Sequence, residues 1–168
     1  MLRRLWRLLR PSLEVAWITP ELALGPRFEK SQAGALARAG IGSVIDVRSE
    51  ASDDEEALAK HDIRLCHLPV DDRQAPTQTQ FEEATKWALK EIAAGRRIYV
   101  HCRSGIGRSP SLVIAILMAM GYPLPDAYDA VRRRRAWATL SAGQWEALEQ
   151  FERSLQARRS AGAEERPG

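Results

Sequence analysis

Residues 98–120 read Ile98-Tyr99-Val100-His101-Cys102-Arg103-Ser104-Gly105-Ile106-Gly107-Arg108-Ser109-Pro110-Ser111-Leu112-Val113-Ile114-Ala115-Ile116-Leu117-Met118-Ala119-Met120. Ile98 to Val100 is a short run without polar interruption, the pattern of a strand covered on both faces. Ser109 to Met120 is apolar on every side and closed by Gly121, the pattern of a buried helix. Between them lies a loop with two glycines. A loop that opens a helix aims several backbone N–H groups at one spot, and the helix dipole adds positive potential there. Gly105 and Gly107 let a ligand approach the backbone. Arg108 can cap the same spot with a bidentate guanidinium. Cys102 sits at the floor, where N–H donors and an Arg favour the thiolate, the nucleophilic form. The stretch is a cradle of phosphate size with a nucleophile at its base.

Working outward, strands and helices alternate. Residues 17–18 and 22–24 read as short strands. Ser31 caps a helix over 32–39 that Gly40 closes. Residues 43–47 form a strand, and Ser52 with Glu55 makes a capping box for a short acidic helix ending near Lys60. A strand over 63–68 leads to a polar loop, 69–78, holding Asp71, Asp72 and Pro76. Phe81 to Ala94 has helical period and ends at Gly95. After the central motif come a helix from Pro125 to about Ala136 and, opened by a Ser141/Gln144 capping box, one from Ala142 to about Arg158. This alternation predicts an α/β fold with a mostly parallel central sheet flanked by helices. The domain is expected over 17–158, after a basic amphipathic segment (1–16) and before a disordered tail (159–168).

The length of 168 residues suits one core. Net charge is +3, too small to argue for nucleic acid by itself. Only four of the 25 basic residues are Lys; the rest are Arg, the planar binder of carboxylate and phosphate. Two cysteines, Cys66 and Cys102, cannot staple a secreted scaffold, so a reducing, cytoplasmic setting is expected. The longest apolar run, 112–120, is about half of the ~20 residues that a bilayer span requires. In Met1 to Arg10, Leu2, Leu5, Trp6 and Leu9 fall at helical spacing with Arg3, Arg4, Arg7 and Arg10 between them. Three readings stand for this segment: a terminal helix or frayed arm, a helix lying on an anionic membrane surface, or an organellar transit peptide.

Cys-x5-Arg followed by Ser, with His before the Cys, resembles the signature of the cysteine-dependent protein tyrosine phosphatase superfamily. Trp17-Ile18-Thr19-Pro20 with Leu24-Gly25, and Val44-Ile45-Asp46-Val47-Arg48, look like the opening strands of its small dual-specificity branch. The resemblance implies a phosphomonoester hydrolase with Cys102 as nucleophile and Arg108 and the 103–108 backbone as phosphate binders (Arg103, Ser104, Gly105, Ile106, Gly107). Ser109 would stabilise the thiolate, or simply cap the helix, and His101 would help set the Cys102 pKa, or be a satisfied core imidazole. A general acid is needed for the leaving oxygen. The family carries it as an Asp about thirty residues before the Cys, and here both Asp72 and Asp71 qualify, with the local pattern favouring Asp72.

The resemblance further implies no cofactor, and the spacing of His61 and His67 offers no metal site. Phosphotyrosine or phosphoserine/threonine proteins are the expected substrates. The alternatives are a lipid phosphate at a membrane touched by residues 1–10, and a phospho-binding module without catalysis. No RNA-binding motif supports a nucleic-acid partner. Cys66, on a strand expected to neighbour that of Cys102, reads as a core Cys, with a protective disulfide to Cys102 as the rival. Arg132 to Arg135 reads as a solvated helix end or as a rim for anions. Trp137, Trp145 and Phe151 read as packing residues.

Overall fold

The computed structural model describes residues 13–164; of the segment expected over 1–16, residues 1–12 lie outside the described residues, while Ala16 already belongs to the first strand. Five strands form one sheet: β1 (Ala16–Trp17), β2 (Leu22–Gly25), β3 (Ile41–Arg48), β4 (Arg64–Val70) and β5 (Arg97–His101). Their order is β1-β2-β5-β3-β4, with β1 antiparallel to β2 and the other pairs parallel. The α/β architecture with a mostly parallel sheet is therefore as expected. The helices are α1 (Ala33–Arg38), α2 (Glu55–Ala59), α3 (Gln78–Ala93), α4 (Arg108–Ala119), α5 (Leu124–Arg134) and α6 (Ala142–Glu164).

Strand alternation divides the core. Ile98 and Val100 of β5 join Leu22, Leu24, Ile45 and Val47 on the face covered by α3, α4, α5 and α6. Tyr99 points to the other face, with Ala23, Ile41 and Val44, where α1 and α2 contribute Leu36 and Leu58. Every residue of α4 from Arg108 to Met118 is buried, which is why its sequence lacks an amphipathic stripe. At roughly 2 kcal/mol per buried aliphatic side chain, this helix is the main anchor of the chain behind the loop.

Local signals placed some helix starts and missed others. Ser141 and Gln144 form the expected capping box, Ser141 N–H donating to Gln144 Oε1 and Gln144 N–H to Ser141 Oγ. Thr77 caps α3, which begins at Gln78, three residues before the helix was expected. Ser52 is not the cap of α2; Asp54 accepts from Ala57 N–H, because Asp53 is held on Arg48 and His101 and the helix begins beyond it. Ser31 likewise lies inside a 3-10 turn (Lys30–Gln32) that precedes α1. The last helix runs on to Glu164 instead of yielding to a disordered tail at 159, since 156–163 is rich in helix-forming Gln, Ala and Arg, and no proline follows Pro125 until Pro167.

Candidate active site

The strand–loop–helix stretch brings its loop to the C-terminal end of β5, outside the carboxyl ends of the parallel strands. The peptide carbonyls of this loop are engaged from outside. Arg103 O accepts from Arg27 N–H (3.2 Å), Ser104 O from Arg135 Nη2 (2.8 Å), Gly105 O from Arg135 Nε (2.8 Å) and Ile106 O from Thr139 N–H (2.8 Å). The chain has no cis peptide among the described residues. In a trans peptide C=O and N–H point oppositely, so the N–H groups of residues 104–107 face the interior of the loop. Gly105 takes φ +65°, and a Cβ there would meet Gly25 O at 2.7 Å and Arg135 Nε at 2.9 Å, so the turn requires glycine.

Cys102 lies at the floor, 4 % exposed. Its Sγ accepts from Gly105 N–H (3.1 Å) and Ser109 Oγ (3.2 Å). Burial pushes the thiol up, but hydrogen bonds from Ser109 and from the N–H groups of Ser109, Gly105 and Ser104 outweigh it, and the pKa is lowered. Arg108 is buried beside it. Nη1 and Nη2 make a bidentate pair with Glu50 (2.7 and 2.8 Å), and Nη1 also donates to Val70 O (2.9 Å). Glu50 escaped the sequence reading, because a Glu two residues past a strand resembles any exposed carboxylate. Its hydrogen bond from Arg108 holds its carboxyl down to about 2.

Asp72 stands across the mouth, Oδ1 3.6 Å from Arg108 Nη2, with its side chain largely exposed. A cavity of about 410 Å³ is lined by Asp72, Cys102, Arg108 and Gln144 among others, and Asp71 is not in its lining. Asp71 O instead accepts from Gln74 N–H, closing a tight turn in which Arg73 takes φ +65°. Gln144, read from the sequence only as half of a capping box, is buried and also donates from Nε2 to Gln74 O (3.0 Å), tying this turn to α6.

His101 points to the opposite face. Its Nε2 lies 2.7 Å from Asp53 Oδ2 and its Nδ1 3.2 Å from Cys102 O. Arg48 pairs with both Asp46 and Asp53 at 2.8 Å. Asp46, Asp53 and His101 are close enough together to face one cation. The Arg48 guanidinium already bridges the two carboxylates, so these residues form an ion-pair network behind the loop.

Cys66 and Cys102 are not on neighbouring strands: β3 separates β4 from β5. Cys66 pairs with Ile45, and Ile45 with Val100, so two strand spacings put Cys66 about 10 Å from β5. A disulfide requires Cα atoms within roughly 7 Å, and this arrangement does not allow one. Burial pushes the Cys66 thiol up to about 11. Within the Arg run, Arg132, Arg133 and Arg134 are exposed while Arg135 is buried under the loop. Trp145 and Phe151 pack on the core, but Trp137 is 71 % exposed.

Residues 24–154 match the dual specificity phosphatase catalytic domain. Human dual specificity protein phosphatase 5 is 31% identical over 140 residues, covering 82% of this chain and 35% of its own length. Human protein phosphatase Slingshot homolog 1 is 30% identical over 159 residues, covering 94% of this chain but 14% of its own. The chain thus spans about a third or less of these relatives. The crystal structure of human DUSP28 superposes with a TM-score of 0.77 at 26% identity, over 86% of this chain and 99% of that one. Tk-PTP in its active form gives 0.77 at 26% identity, over 83% and 96%. With the family's catalytic domain matched across most of its length, this chain belongs to the dual specificity phosphatases, within the cysteine-dependent protein tyrosine phosphatase superfamily.

Proposed function

We propose that this chain hydrolyses phosphomonoesters through a phosphocysteine intermediate, acting on phosphotyrosine and/or phosphoserine/threonine proteins. The observation that carries the reading is the Cys102 thiol, depressed in pKa, inside a ring of N–H donors, with Arg108 beside it and Asp72 over the same cavity. The phosphoryl oxygens bind the loop N–H groups and Arg108. Cys102 attacks phosphorus in line and the P–O bond to the leaving group breaks. The loop donors hold the equatorial oxygens as charge shifts in the transition state. Asp72 gives its proton to the leaving oxygen, then takes one from the water that cleaves the S–P bond. Ser109 stabilises the thiolate when it leaves. Nucleophile, positive charge and proton all come from side chains, so activity is expected to survive EDTA.

A lipid phosphate is the second reading. Exposed Arg73 and Arg103 line the mouth, and Arg132 to Arg134 are exposed at the end of α5, a basic rim suited to substrates with further negative charge. Residues 1–10 would add contact with an anionic membrane surface, with the domain itself placed in the cytoplasm. Among the described residues no helix is long and apolar enough to cross a membrane.

The deciding experiment is turnover of a chromogenic aryl phosphate, with rapid acid quench to trap phosphate on Cys102. Phosphate release with a trapped, hydroxylamine-stable adduct supports the reading. A chain that binds vanadate but releases no phosphate would be a phospho-binding module instead. A panel of phosphopeptides and phosphoinositide vesicles then ranks the substrates.

A further inference from the structure

Arg135 is the last of four consecutive arginines, and its surroundings differ from those of the other three. It is 7 % exposed, whereas Arg132, Arg133 and Arg134 are exposed. A buried guanidinium is costly unless its donors are satisfied. Here Nε donates to Gly105 O and Nη2 to Ser104 O, both at 2.8 Å, and Nη1 lies 3.4 Å from Glu14 Oε2. Two of its partners are therefore carbonyls of the phosphate loop itself.

Those two carbonyls belong to the peptides whose N–H groups are on Gly105 and Ile106. The Gly105 N–H is the one that donates to Cys102 Sγ. A loop with two glycines can rotate these peptides at small cost. Rotated, they would aim carbonyl oxygens at the thiolate and at an incoming oxyanion, reversing the sign of the local potential. A point donor could hold one carbonyl. The rigid fork of a guanidinium holds both at once and adds positive charge directly behind them.

We propose that Arg135 is a positioning residue that fixes the phosphate loop with its N–H groups inward, and that it thereby sets both oxyanion affinity and the ionisation of Cys102. It touches neither substrate nor the reacting sulfur. The inference rests on the proposed phosphate-binding role of the loop, and the test separates the two.

Vanadate affinity is measured by calorimetry, and the pH dependence of Cys102 alkylation by iodoacetamide, on the full chain and on Arg135→Met, Arg135→Lys and Arg38→Met, the last an exposed arginine at the end of α1. With charge-assisted bonds to two carbonyls lost, Arg135→Met is expected to bind vanadate at least about tenfold more weakly. Its alkylation profile should move to higher pH. Arg135→Lys, with one amine for two carbonyls, should fall between, and Arg38→Met should match the unsubstituted chain. A folded Arg135→Met with unchanged affinity and profile overturns the proposal, as does an equal loss in Arg38→Met, which would reduce the effect to general charge. If Arg135→Met does not fold, Arg135→Lys decides: full affinity and an unshifted profile overturn the proposal, and a partial loss with a shifted profile upholds it. An unsubstituted chain that binds no vanadate overturns the phosphate-binding role first, and this inference with it.

Discussion

Two loops meet at the cavity, and they are held in opposite ways. The phosphate loop, 103–108, has four successive carbonyls engaged from outside and its side chains Cys102 and Arg108 buried. The loop around Asp72, the proposed acid, is exposed, contains Arg73 at φ +65°, and is tied down by the Asp71–Gln74 turn and by Gln144. A left-handed backbone at a non-glycine residue costs of order 1 kcal/mol and persists only where neighbours impose it. The contrast fits the tasks proposed for them. Donors that stabilise charge in the transition state must be oriented before the reaction begins. A proton donor must admit the substrate first and needs only to reach its leaving oxygen.

The comparison can be broken at its strongest point by Cys102→Ser. A hydroxyl is scarcely ionised near neutral pH, so turnover should vanish while vanadate still binds; residual turnover with unchanged kinetics would mean that the cradle is not the reaction centre. Next in size is Asp72→Asn, for which general acid catalysis predicts a loss of ~10²–10⁴-fold with alkyl phosphates and far less with an activated aryl phosphate. Asp71→Asn is the control, and a larger leaving-group-dependent loss there would move the acid to Asp71. Gln144→Ala releases the acid turn, one hydrogen bond's worth, and should slow alkyl phosphate turnover about two- to tenfold. An equal effect on aryl and alkyl substrates would separate Gln144 from the acid loop.

Smaller effects appear in the pH profile. Ser109 lies inside α4, whose N-cap is Gly107, so it does not cap the helix as the alternative reading had it; removing its hydroxyl bond (Ser109→Ala) destabilises the thiolate, so the acidic limb of kcat/KM should move to higher pH, and an unmoved limb would show that the hydroxyl has no part in the ionisation. Glu50 does not interfere with this reading. Its folded value of about 2 lies below the ordinary 4.5, so its contribution is complete above about 4.5 and is lost only as pH falls towards about 2. The smallest expected change in turnover comes from deleting residues 1–10, which should leave hydrolysis of a soluble ester unaltered and weaken sedimentation with anionic vesicles. Equal vesicle binding by both forms would remove the membrane role of that segment.

Much of this protein is legible along the chain because the information is local. A strand, a glycine-bearing loop and a buried helix lie within residues 98–120, and covalent spacing alone brings Cys102, Arg108 and the loop N–H groups together. Alternating strands and helices likewise suffice for the α/β class, and the proposal of Asp72 over Asp71 starts from the local pattern of their loop. Other features depended on long-range packing. Glu50 reaches Arg108 across 58 residues, Asp53 reaches His101 across 48, and Arg135 reaches Gly105 across 30. In a string of letters, a buried guanidinium under a loop and a solvated one on a helix end look the same. Arg135 follows directly on α5, where the backbone leaves the helix (φ −140°, ψ 86°), and only the packing of that helix end against the loop decides which arginine is enclosed. Strand order is equally silent: the interposition of β3 between Cys66 and Cys102 comes from how the crossovers fold over the sheet, a choice that no residue near either cysteine records.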